Sequence, residues 1–245
     1  MRPRTKVLLL AAIIIAGLAF FCLRKSEPSY QGKSLSEWLR LESVLHGGVL
    51  ADQLSYKTEE ALQNMGTNVI PFLVKRIGTK NSPFKKALWD FGDKHRLLHI
   101  RIDLFTIYDE QRRAARAFKA FGPEARGAIP SLSALLNDQE TAHPAALALV
   151  NIGAEAMPTL TNLLFSTNSM VAGTVTVSLQ RAGTNAVQAI PALLINLTNV
   201  DSFIRVASAY TLATIRSAPS VCLPALIRAT SDPDFRVRRS REVLK

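Results

Sequence analysis

His95 and His99 stand four residues apart, a spacing that puts two imidazoles on one face of a helix, where they can share a zinc ion. A third ligand would have to come from Asp93 or Asp103, and no glutamate follows His95 to serve as a base. Lys94, Arg96 and Arg101 surround the pair. That company argues for a basic, amphipathic surface helix, so no metal site is expected. Nucleophilic catalysis has no better material. No glycine-flanked serine, cysteine–histidine pair or glycine-rich phosphate loop with a lysine occurs, and the 4 histidines are scattered. The 2 cysteines, Cys22 and Cys222, lie far apart and without metal-ligand company, so an intrachain disulfide is not expected. No catalytic residue and no cofactor are expected.

Charge is the other chemical resource. The formal net charge is +11, and residues 75–119 hold 12 lysines and arginines against 5 acids, while residues 120–200 are slightly acidic. Lys75, Arg76, Lys80, Lys85, Lys86, Lys94, Arg96 and Arg101, with Arg112, Arg113, Arg116 and Lys119 beyond, form one local patch. A protein tracking a phosphate backbone spreads its cations along a continuous face, so nucleic acid is not the expected partner. Anionic lipid headgroups suit the patch if it lies near a membrane, and a solvated face with no dedicated ligand suits it as well.

The membrane enters through the amino terminus. Arg2, Arg4 and Lys6 precede an apolar run, residues 7–23, that ends at Arg24-Lys25. As a helix this run would reach about 25 Å, enough for a thin bilayer. Gly17-Leu18-Ala19 also offers a small-residue cleavage site, although Phe20 to Leu23 continue the apolar run past it. The favoured expectation is an uncleaved signal anchor over residues 1–25, with the remainder exported. The alternative is a secreted or periplasmic protein after cleavage. Phe20 and Phe21 before Cys22 argue against a lipoprotein signal.

The elements that must carry these groups are written in a repeat. Shifted by about 33 residues, Pro191-Ala192-Leu193-Leu194 falls on Pro224-Ala225-Leu226-Ile227, Asp201 on Asp234, and Arg205 on Arg238. Pro158 stands the same distance before Pro191, with Leu160, Leu164 and Leu179 falling on Leu193, Leu197 and Leu212. Each proline follows a loop opened by glycine, as in Gly66 to Pro71, Gly122 to Pro130, Gly153 to Pro158 and Gly183 to Pro191. Glycine ends one helix in the left-handed conformation and proline fits the first turn of the next. Apolar residues recur at helical spacing and alternating runs are absent, so strands are not expected. Ser34 and Glu37 make a capping box for a helix from Leu35. Later helix pairs are expected at Pro130 to Leu136 with Pro144 to Ile152, Pro158 to Leu164 with Val171 to Ala182, Pro191 to Leu197 with Ile204 to Ile215, and Pro224 to Ala229 with Phe235 to Leu244.

These units resemble HEAT repeats. The resemblance implies an all-α fold, an α-α superhelix of stacked helix pairs over residues 35–245, joined by a linker over residues 26–34 to the amino-terminal helix. The stretch Tyr30 to Leu39 resembles the segment leading into HEAT domains of exported bacterial proteins; with the basic flank before residues 7–23 kept in the cytoplasm, the expectation is a bacterial inner membrane, single-pass, with the C-terminal domain outside the cytoplasm. The bland reading of that stretch, favoured here, is a cap on the first repeat. Residues 78–110 depart from the pattern as an insertion between Ile77 and a partner helix from Gln111, and insertions of this kind collect on the binding face. In HEAT proteins an aspartate and an arginine link neighbouring units, and Asp201 with Arg205 and Asp234 with Arg238 stand there; the stretches around His143 and Ala172 lack the arginine. The implied function is a non-catalytic scaffold that presents a concave helical face to a protein partner. Its candidate contacts are Lys85, Lys86, Arg96, Arg101, Arg112, Arg116 and Arg205. The alternative is a HEAT-like enzyme, either acting on nucleic acid as a DNA glycosylase or attaching a chromophore. Export and the acidic middle of the chain weigh against both.

Overall fold

The computed structural model describes residues 27–41, 49–80, 105–215 and 218–239. The apolar run 7–23, the histidines at 95 and 99, and Lys85, Lys86, Arg96 and Arg101 lie outside them. Among the described residues no helix is long and apolar enough to cross a membrane.

Among the described residues twelve α-helices follow one another as six pairs. They are α1 (Leu35–Leu41) with α2 (Val49–Met65), α3 (Ile70–Ile77) with α4 (Phe105–Ala117), and α5 (Ile129–Leu135) with α6 (Ala142–Ile152). After these come α7 (Met157–Leu163) with α8 (Ser169–Leu179), α9 (Ile190–Asn196) with α10 (Ser202–Ile215), and α11 (Pro219–Ala229) with α12 (Phe235–Arg239). The second helices form a continuous layer: α4 packs on α6, α6 on α8, α8 on α10 and α10 on α12. The first helices make the other layer, α1, α3, α5, α7 and α9 each against its own partner, while α11 packs on the preceding pair, α9 and α10. One apolar core runs the length of the stack, from Leu35 and Leu39 through Phe118, Leu149 and Leu193 to Val237. Stacking buries a face that a lone helix pair could not cover. The fold is helical, and its pairs stack as an α-solenoid.

The joints explain the regularity. Gly66, Gly122, Gly153 and Gly183 all take positive φ. At Gly153 the values are φ 86 and ψ −138, a region closed to side chains by the Cβ. A short 3-10 segment follows, and then Pro71, Pro130, Pro158 or Pro191 occupies the first turn of the next helix. The last joint departs from this. Ala218 takes φ 50 and ψ 55, helix α11 starts at Pro219, and Pro224, expected to open this helix, lies inside it.

Two further expectations need correction. The helix expected from Gln111 is already under way at Phe105. The polar spacer contains a small antiparallel hairpin, β1 (Ser29–Tyr30) with β2 (Lys33–Ser34). Two residues per strand are too few for periodicity to reveal. The hairpin is a strap over unit one: the Trp38 indole donates to the Tyr30 carbonyl at 3.0 Å, and the Lys33 ammonium sits 4.9 Å over the Trp38 ring. Arg76 of unit two donates to Glu27 at 3.0 Å and to Ser36, tying the strap to the stack. Ser34 and Glu37 form the expected capping box, with Glu37 accepting from the Ser34 N–H at 2.7 Å and Ser34 Oγ accepting from the Glu37 N–H at 3.3 Å.

Candidate functional site

The start of each later second helix is built in the same two steps. Asn199 accepts the N–H of Asp201, which accepts the N–H of Phe203. One unit on, Asp232 accepts from Asp234, which accepts from Arg236. One unit back, Ser166 accepts from Asn168, which accepts from Met170. These side chains satisfy helix N–H groups that have no carbonyl of their own. Arg236 also chelates Asp234 at 2.7 Å, and with the backbone bond this holds the Asp234 carboxyl far below the usual range.

Such caps fix the first turn of each helix. His143, Met170 and Phe203, each near the start of its helix, come together as the rim of a groove across α6, α8 and α10. Its volume is about 460 Å³, it opens to solvent, and Ser169, Gly173, Thr174, Val177 and Asp201 complete its lining. It lies in the layer of second helices.

Gly173 is the odd residue. It sits inside α8 with no positive φ to accommodate, where glycine costs about 1 kcal/mol relative to alanine. A Cβ there would stand 2.7 Å from Cε1 of Phe203. The missing methyl is what lets the Phe203 ring lie against α8, and the ring remains 50% exposed. A local rule broken for an exposed ring marks the groove as more than a seam.

His143 also has neighbours beyond the lining of the groove. Tyr108 on α4 stacks on His143, ring centroids 6.3 Å apart and 22° between planes. Burial, then the nearby Arg181 and Arg112, lower the His143 pKa, so the imidazole is neutral at neutral pH. Arg112 meets Asp109 at 3.4 Å, while its Nε is buried without an acceptor among the described residues.

The residues picked from sequence therefore part company. Arg112 lies near enough to His143 to help lower its pKa, but it is not among the residues that line the groove. Arg116, one turn further along α4, is exposed. Arg205 is spent elsewhere: it grips Asp232 with two bonds, Nε to Oδ2 at 2.9 Å and Nη2 to Oδ1 at 3.0 Å, and donates to the Asn199 and Val200 carbonyls. The bond raises the Arg205 pKa and lowers that of Asp232, so each partner holds the other in its charged form. The link expected between neighbouring units is made here by Arg205 to Asp232 of the next unit, while Asp201 caps its own helix. Arg238 repeats only the carbonyl half, donating to Asp232 and Pro233. Sequence reasoning missed Tyr108, Gly173, Arg181 and Phe203. The signal was available in Gly173, a glycine in mid-helix with no turn to serve.

Among the described residues no group of three or more histidines, cysteines or acids could hold a metal. No protein-family model matches this sequence, and no curated protein does either. Solved structures to which the chain is similar include human deoxyhypusine hydroxylase in complex with glycerol. There the identity is 18% over 85% of this chain and 87% of that one, with a TM-score of 0.41. An engineered protein is similar at 22% identity over 86% of this chain and 94% of that one, with a TM-score of 0.39. A likeness of this degree says nothing of what the chain acts on or binds.

Proposed function

We propose that this chain is a HEAT-repeat-type scaffold, non-catalytic, that binds a protein partner in the groove across α6, α8 and α10. Residues 7–23 tether it to a bacterial inner membrane, and the solenoid stands outside the cytoplasm. The observation that supports the binding surface best is the pairing of Gly173 with the half-exposed Phe203 ring, a packing that costs helix stability and leaves an aromatic platform facing solvent. A photo-crosslinking residue at Thr174, in the full chain, tests it. The expected result is one discrete crosslinked protein, and crosslinking only from the outer layer of first helices would overturn the assignment. A reporter fused after Lys245 tests the tether: activity outside the cytoplasm is expected, and cytoplasmic activity would refute it.

A second reading, an enzyme on the same architecture, has one observation in its favour. His143 is held neutral in an open groove beside two arginines, the state required of a general base. Against it, no carboxylate or nucleophile among the described residues hydrogen-bonds to the imidazole. Substitution of His143 by glutamine decides between the readings, since a scaffold retains its partner and a catalyst loses turnover.

A further inference from the structure

We infer that the joint between units three and four is a hinge, and that bending there sets the width of the groove and so admits or excludes its partner. Its hold over the partner rests on the scaffold reading; the bending itself does not. Every other joint is pinned by side chains. Between units one and two, Arg76 donates to Glu27 and Ser36, and Gln63 donates to the Ala120 carbonyl. Between units two and three, Lys80 meets Asp138 at 2.6 Å and Asn151 donates to the Ala115 carbonyl at 2.9 Å. Between units four and five, Asn196 donates to the Leu164 carbonyl at 3.1 Å and Thr211 to that of Thr176 at 3.0 Å. Units five and six share the Arg205–Asp232 pair. Among the described residues no side-chain hydrogen bond or ion pair crosses from unit three to unit four. The position that would make one is idle. Asn151 and Ser178 each stand one residue from the end of their helices, α6 and α8, and Thr211 stands one repeat on from Ser178. Asn151 and Thr211 bond to the preceding unit, whereas the Ser178 hydroxyl is buried without a partner among the described residues.

What remains at this joint is apolar packing of α6 on α8. Ala145, Ala146 and Ala148 are among the buried residues of α6, and Ala172 and Gly173 among those of α8. Hydrophobic burial is non-directional and survives a tilt, whereas hydrogen bonds fix an angle and a register. Small side chains also make shallow ridges, so a change of crossing angle undoes little interlocking. The pins therefore divide the stack into two bodies, units one to three and units four to six. The groove straddles their boundary. His143 stands on α6 in the first body, under the stacked ring of Tyr108 from unit two. Met170 and Gly173 on α8, with Phe203 on α10, belong to the second body, which the Asn196 and Thr211 bonds hold together. Bending about the α6–α8 contact moves one wall against the other and leaves each wall intact.

The test reads distance distributions by double electron–electron resonance, with spin labels on encoded non-natural residues in the full chain in detergent. Gln139 with Thr198 spans the joint, Glu60 with Gln139 lies within the first body, and Thr167 with Ser231 lies within the second; all these positions are exposed. Each pair runs from one unit to the next but one, so length alone broadens none of them. The spanning pair should be about twice as broad as either internal pair, and equal widths would overturn the hinge. Two variants act in opposite directions. Ser178→Asn offers the joint an amide like that of Asn151 and should narrow the spanning pair. Asn196→Ala with Thr211→Val removes the pins between units four and five and should broaden the Thr167–Ser231 pair. Helical circular dichroism checks that both fold, and a folded variant with unchanged width would count against the inference. Should Ser178→Asn fail to fold, the double variant and the wild-type widths decide alone. The Thr174 crosslink separates the two levels. With the partner crosslinked, the spanning pair should narrow. If the crosslink forms and the width stays as it was, the hinge does not govern admission and the scaffold stands. If no crosslink forms, the scaffold reading fails and the hinge is judged on the widths alone.

Discussion

Units five and six meet through a charged bond, whereas units three and four meet through alanines, valines and leucines. In the first case Arg205 reaches across to Asp232, both side chains largely shielded at 14% and 10% exposure. In the second, α6 and α8 pack over core residues such as Leu149, Val171 and Val175. Ala172 stands where Arg205 stands in the next unit and Arg238 in the one after. The same position makes a charged joint when it holds Arg205 and is a buried apolar position when it holds Ala172.

The sharpest way to break this contrast is Arg205→Ala. It strands the Asp232 carboxylate and frees two loop carbonyls, a loss of about 3 kcal/mol. Because repeat stability is nearest-neighbour, the loss should appear as early melting of units five and six, with unit three unaffected. Hydrogen exchange by unit reads this directly, and uniform destabilisation of the whole chain would refute it. Next in size is Asn196→Ala. Asn196 is buried and donates to the Leu164 carbonyl at 3.1 Å, bonding unit five to unit four. Leaving that carbonyl unpaired should cost about 1–2 kcal/mol in urea denaturation. An effect equal to that of Arg205→Ala would erase the distinction between charged and neutral joints.

The joint before α11 supplies a gain. Ala218 adopts φ 50, which the other joints leave to glycine. Ala218→Gly should stabilise the last unit by about 1 kcal/mol, since the left-handed region penalises a Cβ by that order. Thermal unfolding that shows a loss would mean the strain lies elsewhere.

The legibility of each feature depends on what its residues answer to. Glycine–proline spacing is a backbone constraint, local in sequence, and Gly66, Gly122, Gly153 and Gly183 announce the joints plainly. Pro224 misled because Pro219 already occupies the first turn of this helix, so the second proline lies inside it, where its missing N–H forfeits a hydrogen bond. The hairpin at 29–34 was invisible because it is two residues a strand. The groove is another matter: Tyr108, His143, Gly173, Arg181 and Phe203 come from separate elements of the stack, and only stacking brings them together. Their spacing carries no motif. Arg112 and Arg205 were both chosen through the HEAT resemblance, and the partner of Arg205 lies inside the chain.

The smallest effect probes the middle of the stack. His143 has its pKa lowered by burial first, then by Arg181 and Arg112. The native state therefore binds fewer protons at this site than the unfolded chain, whose histidine titrates near its ordinary value of about 6.5. Stability from this group is complete above that value and is lost as pH falls toward the depressed native pKa. The melting temperature of the wild type should fall more steeply between about pH 7 and pH 5.5 than that of His143→Gln, whose other histidines are the same. Among the described residues the shifted carboxyls do not interfere, because Glu37, Asp138, Asp232 and Asp234 are all lowered from ordinary values near 4 and act below this window. Parallel slopes in the two proteins would mean that the groove does not desolvate His143.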